Sequence, residues 1–221
     1  IIRNNRLVDI IFRDDFDIPI TSENKNKLDC PVVIMAGGRG KRLDPFTRII
    51  PKPLIPVGEK PIIEIIIDKF VEYGLSDFIL SINYKASMIK AFFNDFDHEK
   101  YKISYLEEDK PLGTGGSLKL LGGRMKAPYF ISNCDIIVEE DYSKIYNFHI
   151  AGQYSLTLVC VLKHQTIPYG VCEVNNGGEL KDIKEKPEYD LLINSGLYVI
   201  NPDVLSFMPD NEPFDLTDLT V

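Results

Sequence analysis

Short apolar runs alternate with longer amphipathic segments along most of the chain. Residues 31–36 are entirely apolar, which is typical of a central parallel strand that is buried on both faces. A helical pattern over 62–73 ends at Gly74, and a strand is predicted for 78–82. The next cycle predicts a helix over 85–96, a strand over 103–106, a helix over 116–121 and a strand over 129–132. This alternation predicts an α/β fold, with a mostly parallel sheet flanked by helices.

From residue 154 onward, strand patterns dominate the sequence. They cover 156–159, 169–174 and 192–200. Such a run of strands predicts an antiparallel extension of the sheet. We find no internal repeat and no low-complexity segment.

The amino-terminal part of the chain differs in composition from the rest. Residues 22–30 form a polar stretch with almost no apolar content, which predicts a linker. We therefore divide the sequence into an extension over 1–21, a linker over 22–30 and a main domain over 31–221.

Composition and charge narrow the possible functions. With 221 residues, of which 44% are hydrophobic and 26% charged, the chain can bury the core of one large α/β domain. No apolar run approaches the roughly 20 residues that a membrane span needs, and the first residues lack a secretory signal pattern. We expect a cytoplasmic protein with no membrane partner. The net charge of −8 argues against nucleic acid as a partner, because phosphate backbones are bound by an excess of Lys and Arg.

The cysteines and histidines offer no obvious metal site. Cys30, Cys134, Cys160 and Cys172 form no CxxC pair, and we expect all four to be buried, small apolar residues. The three histidines, which receive no role, are His98, His149 and His164.

A glycine-rich turn follows the first predicted strand, with the sequence GGRGKRL at 37–43. Glycines allow backbone N–H groups to approach an anion, and the basic side chains can neutralise a polyphosphate. The turn matches neither a Walker loop nor a GxGxxG fingerprint. By itself it is equally compatible with a purely structural turn.

The sequence after this turn makes a family resemblance specific. Residues 51–57 read PKPLIPV and are followed by Lys60 and Pro61. Together, residues 35–61 resemble the signature of the sugar-phosphate nucleotidyltransferase family, GGxGxRL followed by PKPLxPVxxKP, and the likeness extends over about 31–221. The resemblance implies a Rossmann-like, mostly parallel mixed sheet of the nucleotide-diphospho-sugar transferase type. It also implies an enzyme that transfers a nucleoside monophosphate from a nucleoside triphosphate to a sugar 1-phosphate and releases pyrophosphate.

The family motifs imply roles for individual residues near the reacting phosphates. Arg42 would hold the triphosphate, and Lys52, between two prolines, would place its ammonium on the phosphates at the reacting centre. The nucleotide-binding residues implied by the matched motifs are Ala36, Gly37, Gly38, Gly40, Glu108, Gly113 and Asp135.

Residues 108–116, EDKPLGTGG, resemble the base-reading loop of the family. Glu108 stands where thymidylyl- and many uridylyltransferases are expected to carry Gln. A carboxylate only accepts hydrogen bonds, so it suits guanine, which offers N1–H and N2–H₂. This favours GTP as the nucleotide, with dTTP, UTP or CTP as alternatives. The other interpretation is that Glu108 is a surface glutamate that does not read the base.

Two aspartate segments resemble the metal-binding segments of the family. Asp135 ends a predicted buried strand, at the edge where open α/β sheets bind ligands, and Asp218 closes the FDLTD sequence at 214–218. By resemblance, Asp135 and Asp218 would bind Mg²⁺, which prefers carboxylates together with phosphate oxygens and water. Cys134 departs from the family pattern, which usually has glycine there, and would crowd backbone that approaches the nucleotide.

Three further segments, at 169–171, 184–187 and 194–198, resemble the sugar-phosphate contacts of the family in the expected order. The residues that this implies are Gly170, Glu185, Lys186 and Asn194. Glu185 would accept hydroxyl hydrogens, and Lys186 would hold the phosphate of the sugar, which makes it catalytic together with Arg42 and Lys52.

The closest likeness is to guanylyltransferases that act on mannose 1-phosphate or glucosamine 1-phosphate. Residues 1–17 resemble the end of a cystathionine-β-synthase-type (CBS) regulatory module, which implies an adenine nucleotide as a further ligand upstream; a simple β-extension is the alternative. We expect a homo-oligomer, and more sequence after Asp218 in the natural protein. The competing interpretation of the whole domain is a non-catalytic sensor that binds a nucleotide sugar.

Overall fold

The computed structural model describes residues 2–3, 6–7, 27–94 and 99–220. Its contacts divide the chain into two compact units, one of residues 1–158 and 196–221 and one of residues 159–195. Most of the amino-terminal extension, most of the predicted linker and His98 lie outside the described residues. Two short strands of the extension, β1 (Ile2–Arg3) and β2 (Arg6–Leu7), pair antiparallel with each other. No helix among the described residues is long and apolar enough to cross a membrane.

Among the described residues, the main sheet has six strands in the order β7-β6-β3-β8-β12-β9. Their bounds are β3 (Val32–Met35), β6 (Asp77–Ile82), β7 (Lys102–Glu107), β8 (Tyr129–Asn133), β9 (Leu156–Thr166) and β12 (Glu188–Ile200). The first four strands of this order are mutually parallel, whereas β12 pairs antiparallel with β8. The structure thus confirms the predicted mixed, mostly parallel sheet with an antiparallel extension.

The strand order creates a topological switch point beside β3. From β3 the chain moves to β6 and β7 on one side and then returns to place β8 on the other side. Open α/β sheets bind ligands at the carboxyl ends of the strands where the order reverses in this way. The segments that follow β3 and β8 are therefore where a ligand site is expected.

Both faces of the parallel strands are buried, because every residue of β3 is buried and its side chains alternate between the faces. On one face, Phe70 packs against Phe78 and Phe130 with ring centroids 6.2 and 5.4 Å apart. On the other face a second cluster includes Val33, Ile131 and Leu118. This two-sided burial fixes the positions of the strand ends that carry the site.

In the described part of the chain, three α-helices accompany the sheet: α1 (Ile62–Val71), α2 (Ala86–Asn94) and α3 (Tyr142–Ala151). The first two confirm predicted helices, although α2 starts after Lys85, whose φ of 55° is left-handed. The predicted helix over 116–121 is a 3-10 helix, Gly116–Leu121, that ends at Gly122 in a left-handed conformation. The helix α3 was not predicted; Asp141 caps it by accepting from the backbone N–H groups of Ser143 and Lys144.

Short strands complete the fold. A hairpin pairs β4 (Pro56–Val57) with β5 (Lys60–Pro61), and in the second unit β10 (Val171–Val174) pairs antiparallel with β11 (Leu180–Lys184). The strand predicted for 169–174 begins two residues later, and β11 was not predicted. The strand predicted over 156–159 continues to Thr166.

The expectation that all four cysteines are buried is wrong for two of them. Cys30 and Cys134 are buried, but Cys160 and Cys172 are exposed. The reason is that both lie on strands of the second unit, where most side chains of β9 and β10 face solvent. Burial raises the pKa of the Cys30 and Cys134 thiols to about 12, so little thiolate forms near neutral pH.

Candidate active site

The glycine-rich turn begins directly where β3 ends. The chain leaves the sheet through Ala36, whose N–H donates to Ser81 O at 2.8 Å, and reaches Gly40, which has a left-handed φ of 63°. A Cβ on Gly40 would lie 2.9 Å from Thr47 Cγ2 and 3.1 Å from Lys52 Cβ. Gly40 is therefore required both by its backbone conformation and by the close approach of the Lys52 segment.

The basic side chains of this turn face solvent. Arg39, Lys41 and Arg42 are all exposed, and the last two lie in a short 3-10 helix, Lys41–Leu43. Gly38 has open space where a Cβ would be. The turn thus presents an uncluttered backbone and exposed cations, which is the arrangement that an anionic ligand needs.

The structure brings Lys52 and Asp135 together across 83 positions of sequence. Lys52 Nζ donates to Asp135 Oδ2 in a close ion pair, and the two side chains are 20% and 35% exposed. Lys52 begins a 3-10 helix, Lys52–Leu54, and its neighbours Pro51 and Pro53 are buried, so its backbone is held firmly. Asp135 lies just after β8, so the pair joins the segments on the two sides of the switch point.

Cys134, the departure from the family pattern, turns its side chain into the core. It is only 6% exposed, whereas the adjacent Asp135 is exposed. Burial raises the pKa of its thiol, and the negative charge of Asp135 adds to the effect. Because its sulfur points inward, Cys134 leaves the surface beside Asp135 clear.

Glu108 is held beside the glycine-rich turn by both of its carboxylate oxygens. Oε1 accepts from Ser81 Oγ at 2.9 Å, and Oε2 accepts from Leu112 N at 3.0 Å. A Cβ on Gly37 would lie 3.0 Å from Oε1, so Glu108 and Gly37 are neighbours. A carboxylate has about four acceptor sites, so two remain for a ligand after these bonds.

Asp218 lies in a 3-10 helix, Leu216–Thr220, where its Oδ2 accepts from Asp215 N at 3.1 Å. Gly113 lies against the same segment, because a Cβ on it would be 2.6 Å from Phe214 O. Among the described residues there is no cluster of three or more His, Cys, Asp or Glu side chains that could hold a metal ion. A cation on Asp135 or Asp218 would therefore need ligand oxygens from substrate and water.

In the second unit, three of the predicted sugar-phosphate residues lie together. A Cβ on Gly170 would lie 3.1 Å from Glu185 Oε2, and Lys186 N donates to Tyr169 O at 3.3 Å. Lys186 has a left-handed φ of 45°, which is uncommon for a residue with a side chain and occurs often at functional sites. The fourth candidate, Asn194, is exposed on β12.

The two described histidines stay outside these groups. His149 is buried between Thr157 Oγ1 at 2.8 Å and Asn201 Oδ1 at 3.2 Å, and burial lowers its pKa. His164 is exposed in the second unit, 2.7 Å from Asp190, whose carboxylate raises its pKa.

Sequence reasoning missed the residues that support the site from behind. Ser81 is fully buried and links Glu108 to Ser117 Oγ, which lies 3.0 Å from Ser81 Oγ. Thr114 and Asp215 join two segments that lie about a hundred positions apart, with Thr114 N donating to Asp215 Oδ1 at 2.9 Å. Neither contact has a local sequence signal, because each depends on the tertiary fold.

Known proteins resemble this chain in sequence and in fold. A mannose-1-phosphate guanyltransferase of Hypocrea jecorina is 34% identical over 182 residues, which cover 78% of this chain and 50% of that protein. The chain thus spans about half the length of this relative. The crystal structure of HddC from Yersinia pseudotuberculosis complexed with GMP-PN is 26% identical with a TM-score of 0.65, over 84% of this chain and 82% of that one.

UDP-glucose pyrophosphorylase from Acinetobacter baumanii shares the fold, with a TM-score of 0.65 at 19% identity over 87% of this chain and 81% of that one. The predicted nucleotide-diphospho-sugar transferase fold is confirmed by these structures. The family model described as nucleotidyl transferase matches residues 31–218. The chain therefore belongs to the nucleotidyl transferase family.

Proposed function

We propose that this domain transfers GMP from GTP to a hexose or hexosamine 1-phosphate and releases pyrophosphate. The observation that carries the proposal is the Lys52–Asp135 ion pair at the switch point of the sheet, beside the glycine-rich turn. It puts a cation and a carboxylate next to the backbone that would receive the triphosphate. The guanyltransferase name of the Hypocrea jecorina relative and the GMP-PN bound to HddC support guanine as the base.

The reaction joins two anions, so charge and alignment dominate its barrier. An oxygen of the sugar 1-phosphate attacks the α-phosphorus of GTP, and the new P–O bond forms as the bond from the α-phosphorus to the bridging oxygen breaks. The electron pair leaves with pyrophosphate. Because the attacking phosphate is already anionic, no general base is needed, and the protein contributes positioning and positive charge.

The roles of the basic residues follow from this chemistry. Arg42, exposed on the glycine-rich turn, would bind the triphosphate, and Lys52 would neutralise oxygens at the α-phosphate. Lys186 would hold the phosphate of the sugar, while Gly170 and Glu185 would contact its hydroxyl groups. The left-handed backbone at Lys186 and the closeness of Gly170 to Glu185 support this group.

The carboxylates fit Mg²⁺ as the cofactor. Mg²⁺ is usually bound through one or two carboxylates together with substrate phosphates and water, and Asp135 and Asp218 would supply them. Asp135 already faces a positive charge, the ammonium of Lys52. When bound, the ion would neutralise charge on the triphosphate and on the departing pyrophosphate.

Glu108 would select the base. Its carboxylate is fixed by Ser81 and Leu112 and keeps acceptor capacity for the N1–H and N2–H₂ donors of guanine. Its position next to Gly37 places it beside the glycine-rich turn.

The direct test measures pyrophosphate release with each of four nucleoside triphosphates and a panel of sugar 1-phosphates in the presence of Mg²⁺. We expect release to be fastest with GTP and a mannose- or glucosamine-type substrate. Tight binding of a nucleotide sugar without release from any pair would instead identify a non-catalytic sensor. Faster release with dTTP, UTP or CTP than with GTP would keep the transferase and refute the choice of base.

A further inference from the structure

Two distant segments of the first unit are joined edge to edge by hydrogen bonds. Phe214 N donates to Leu112 O at 2.9 Å, and Phe214 O accepts from Gly115 N at 2.8 Å and Gly116 N at 3.0 Å. Side chains extend the same contact: Asp215 Oδ1 accepts from Thr114 N at 2.9 Å and from Thr114 Oγ1 at 3.0 Å. We call this contact the 114–215 clasp.

The glycines of residues 113–116 are explained by the clasp. A Cβ on Gly113 would lie 2.6 Å from Phe214 O, and a Cβ on Gly116 would lie 2.7 Å from Glu212 O. A Cβ on Gly115 would lie 3.1 Å from Leu216 N. Glycine is thus needed at these positions because backbone packs directly on backbone.

Asp215 connects the clasp to Asp218. Its side chain binds Thr114, while its N–H donates to Asp218 Oδ2 at 3.1 Å and its carbonyl accepts from Asp218 N at 2.9 Å. Leu216 is buried, and its N–H donates to Thr114 Oγ1 at 3.0 Å, which closes the connection from the other side. Asp215 therefore contacts both the loop that follows Glu108 and the carboxylate of Asp218, which is proposed to bind the cation.

The clasp also reaches Glu108 itself. Glu108 Oε2 accepts from Leu112 N, and the carbonyl of Leu112 accepts from Phe214 N. A continuous series of hydrogen bonds therefore runs from the proposed base-reading carboxylate through Leu112 and Phe214 to the segment of Asp218. Such a series is a physical connection through which a displacement at one end can reach the other.

We propose that Asp215 is a positioning residue that couples residues 112–116, in the proposed base-reading loop, to the Asp218 carboxylate. This inference rests on the proposed function for its catalytic consequence, but its structural part stands independently. Asp215 acts through the oxygen that accepts from Thr114 and not through its charge. Loss of that oxygen should loosen both segments together, weakening nucleotide binding and the response to the divalent cation while leaving the sugar phosphate unaffected.

The test compares Asp215→Ala, which removes the acceptor, with Asp215→Asn, which keeps an oxygen at the position of Oδ1. Asp210→Ala is the matched control, because Asp210 is an exposed aspartate of the same region whose ion pair with Lys119 lies outside the clasp. We expect Asp215→Ala to raise the KM for GTP and the half-saturating Mg²⁺ concentration by about tenfold each, because it removes the acceptor of both hydrogen bonds from Thr114. Asp215→Asn should rescue most of this loss, with the KM for sugar 1-phosphate unchanged throughout.

Hydrogen exchange gives a readout that does not depend on activity. In Asp215→Ala, the amides of residues 112–116 and 214–218 should exchange faster together, whereas in Asp215→Asn and Asp210→Ala they should stay protected. Faster exchange in only one segment would overturn the coupling. Equal damage in Asp215→Asn and Asp215→Ala would also overturn it, because a charge-dependent role such as direct cation binding would then be at work.

The two proposals can fail separately. If the unmodified protein releases no pyrophosphate with any substrate pair, the proposed function fails, and the exchange pattern still decides the clasp. If turnover is normal but Asp215→Ala leaves exchange and the KM for GTP unchanged, the clasp fails alone.

Discussion

At the scale of single residues, the exposure of an ion pair and the sequence separation of its partners help to tell a candidate site pair from an ordinary surface pair. Lys52 and Asp135 are paired only through the fold, with side chains 20% and 35% exposed, whereas Arg48 and Asp44 form a pair four positions apart, with side chains 73% and 43% exposed and an N–O distance of 3.1 Å. Exposed pairs of the latter kind contribute little to stability. We expect loss of the Lys52–Asp135 pair to affect activity more than stability, because it joins the segments that follow β3 and β8 in the candidate site.

We predict that Asp135→Asn lowers kcat by about a hundredfold or more, because it removes charge that would hold a cation at the reacting phosphates. The Asn side chain has nearly the same shape, so the thermal midpoint should change little. Steady-state pyrophosphate release and thermal unfolding measure the two effects. Asp77→Asn serves as the control, because Asp77 begins strand β6 and so lies at the edge of the sheet opposite to Asp135. Near-normal kcat in Asp135→Asn at saturating Mg²⁺ would exclude the metal role.

The base-reading role of Glu108 has its own prediction. In Glu108→Gln the amide oxygen can still accept from Leu112 N while its NH₂ faces Ser81, so the loop should stay in place. One N–H donor of guanine would then face the NH₂ donor of Gln. This repulsion should cost about 1–3 kcal/mol, or roughly tenfold to a hundredfold in kcat/KM for GTP. The kcat/KM ratio of GTP to dTTP measures this, with Glu107→Gln as the neighbouring control; an unchanged ratio would mean that Glu108 only braces the loop.

At the scale of elements, the sequence predicts well those segments whose burial is uniform. Strand β3 is buried at every position and helix α1 buries one apolar face, so their patterns are strong. Helix α3 was missed because its buried positions include Ser143 and His149, which dilute the apolar period. Its capping residue Asp141 was a readable signal, since an aspartate before a helix commonly binds the first free N–H groups.

In the candidate site too, the parts that depend on local pattern were predicted and the parts that depend on tertiary packing were not. The glycine-rich turn and Asp135 were located correctly at strand ends, because parallel strands end at a common edge. The link of Thr114 to Asp215 was not foreseen, because it depends on tertiary packing between segments that are far apart in sequence. The same holds for Ser81, whose hydroxyl is useful only once β6 has placed it under Glu108.

His149 leads to a pH prediction for the contact of α3 with β9. Burial lowers its pKa below the ordinary value of 6.5, so the unfolded chain binds a proton more readily than the folded chain. The contribution of His149 to stability is therefore complete above about pH 6.5 and decreases as the pH falls below it. Urea unfolding between pH 7.5 and 5 should show a falling free energy of unfolding, with a smaller slope in His149→Gln.

His164 should show the opposite pH dependence, because Asp190 raises its pKa. Its contribution would be lost as the pH rises, and it should be slight because the pair is exposed. If His149→Gln and His164→Gln change the pH slope equally, burial of His149 is not the cause.

At the scale of the whole molecule, the candidate residues divide between the two units of the chain. The nucleotide and metal candidates belong to the first unit, whereas Gly170, Glu185, Lys186 and Asn194 belong to the second. The overall charge of −8 makes local basic residues necessary for any anionic ligand, and each unit supplies its own. This division predicts that the two substrates can be perturbed independently.

Arg42→Ala should chiefly raise the KM for GTP, and Lys186→Ala should chiefly raise the KM for the sugar 1-phosphate, each by about tenfold or more, the value of one charge-assisted hydrogen bond. Initial rates with one substrate varied and the other saturating separate the effects. Arg124→Ala and Lys163→Ala remove exposed basic residues of the same two units, outside every matched motif, and should change neither KM. If both test variants affected the same substrate, this division of roles would be wrong.

The distribution of the cysteines has a practical consequence. Cys30 and Cys134 lie in the first unit with thiol pKa values raised to about 12, whereas Cys160 and Cys172 are exposed and lie in the second unit. A maleimide dye added near neutral pH reacts with accessible thiols, so it would attach to the second unit alone, and Cys160→Ser would leave Cys172 as a single attachment point. Without any engineered cysteine, the protein thus carries a built-in place for a fluorescent reporter on the unit proposed to bind the sugar phosphate.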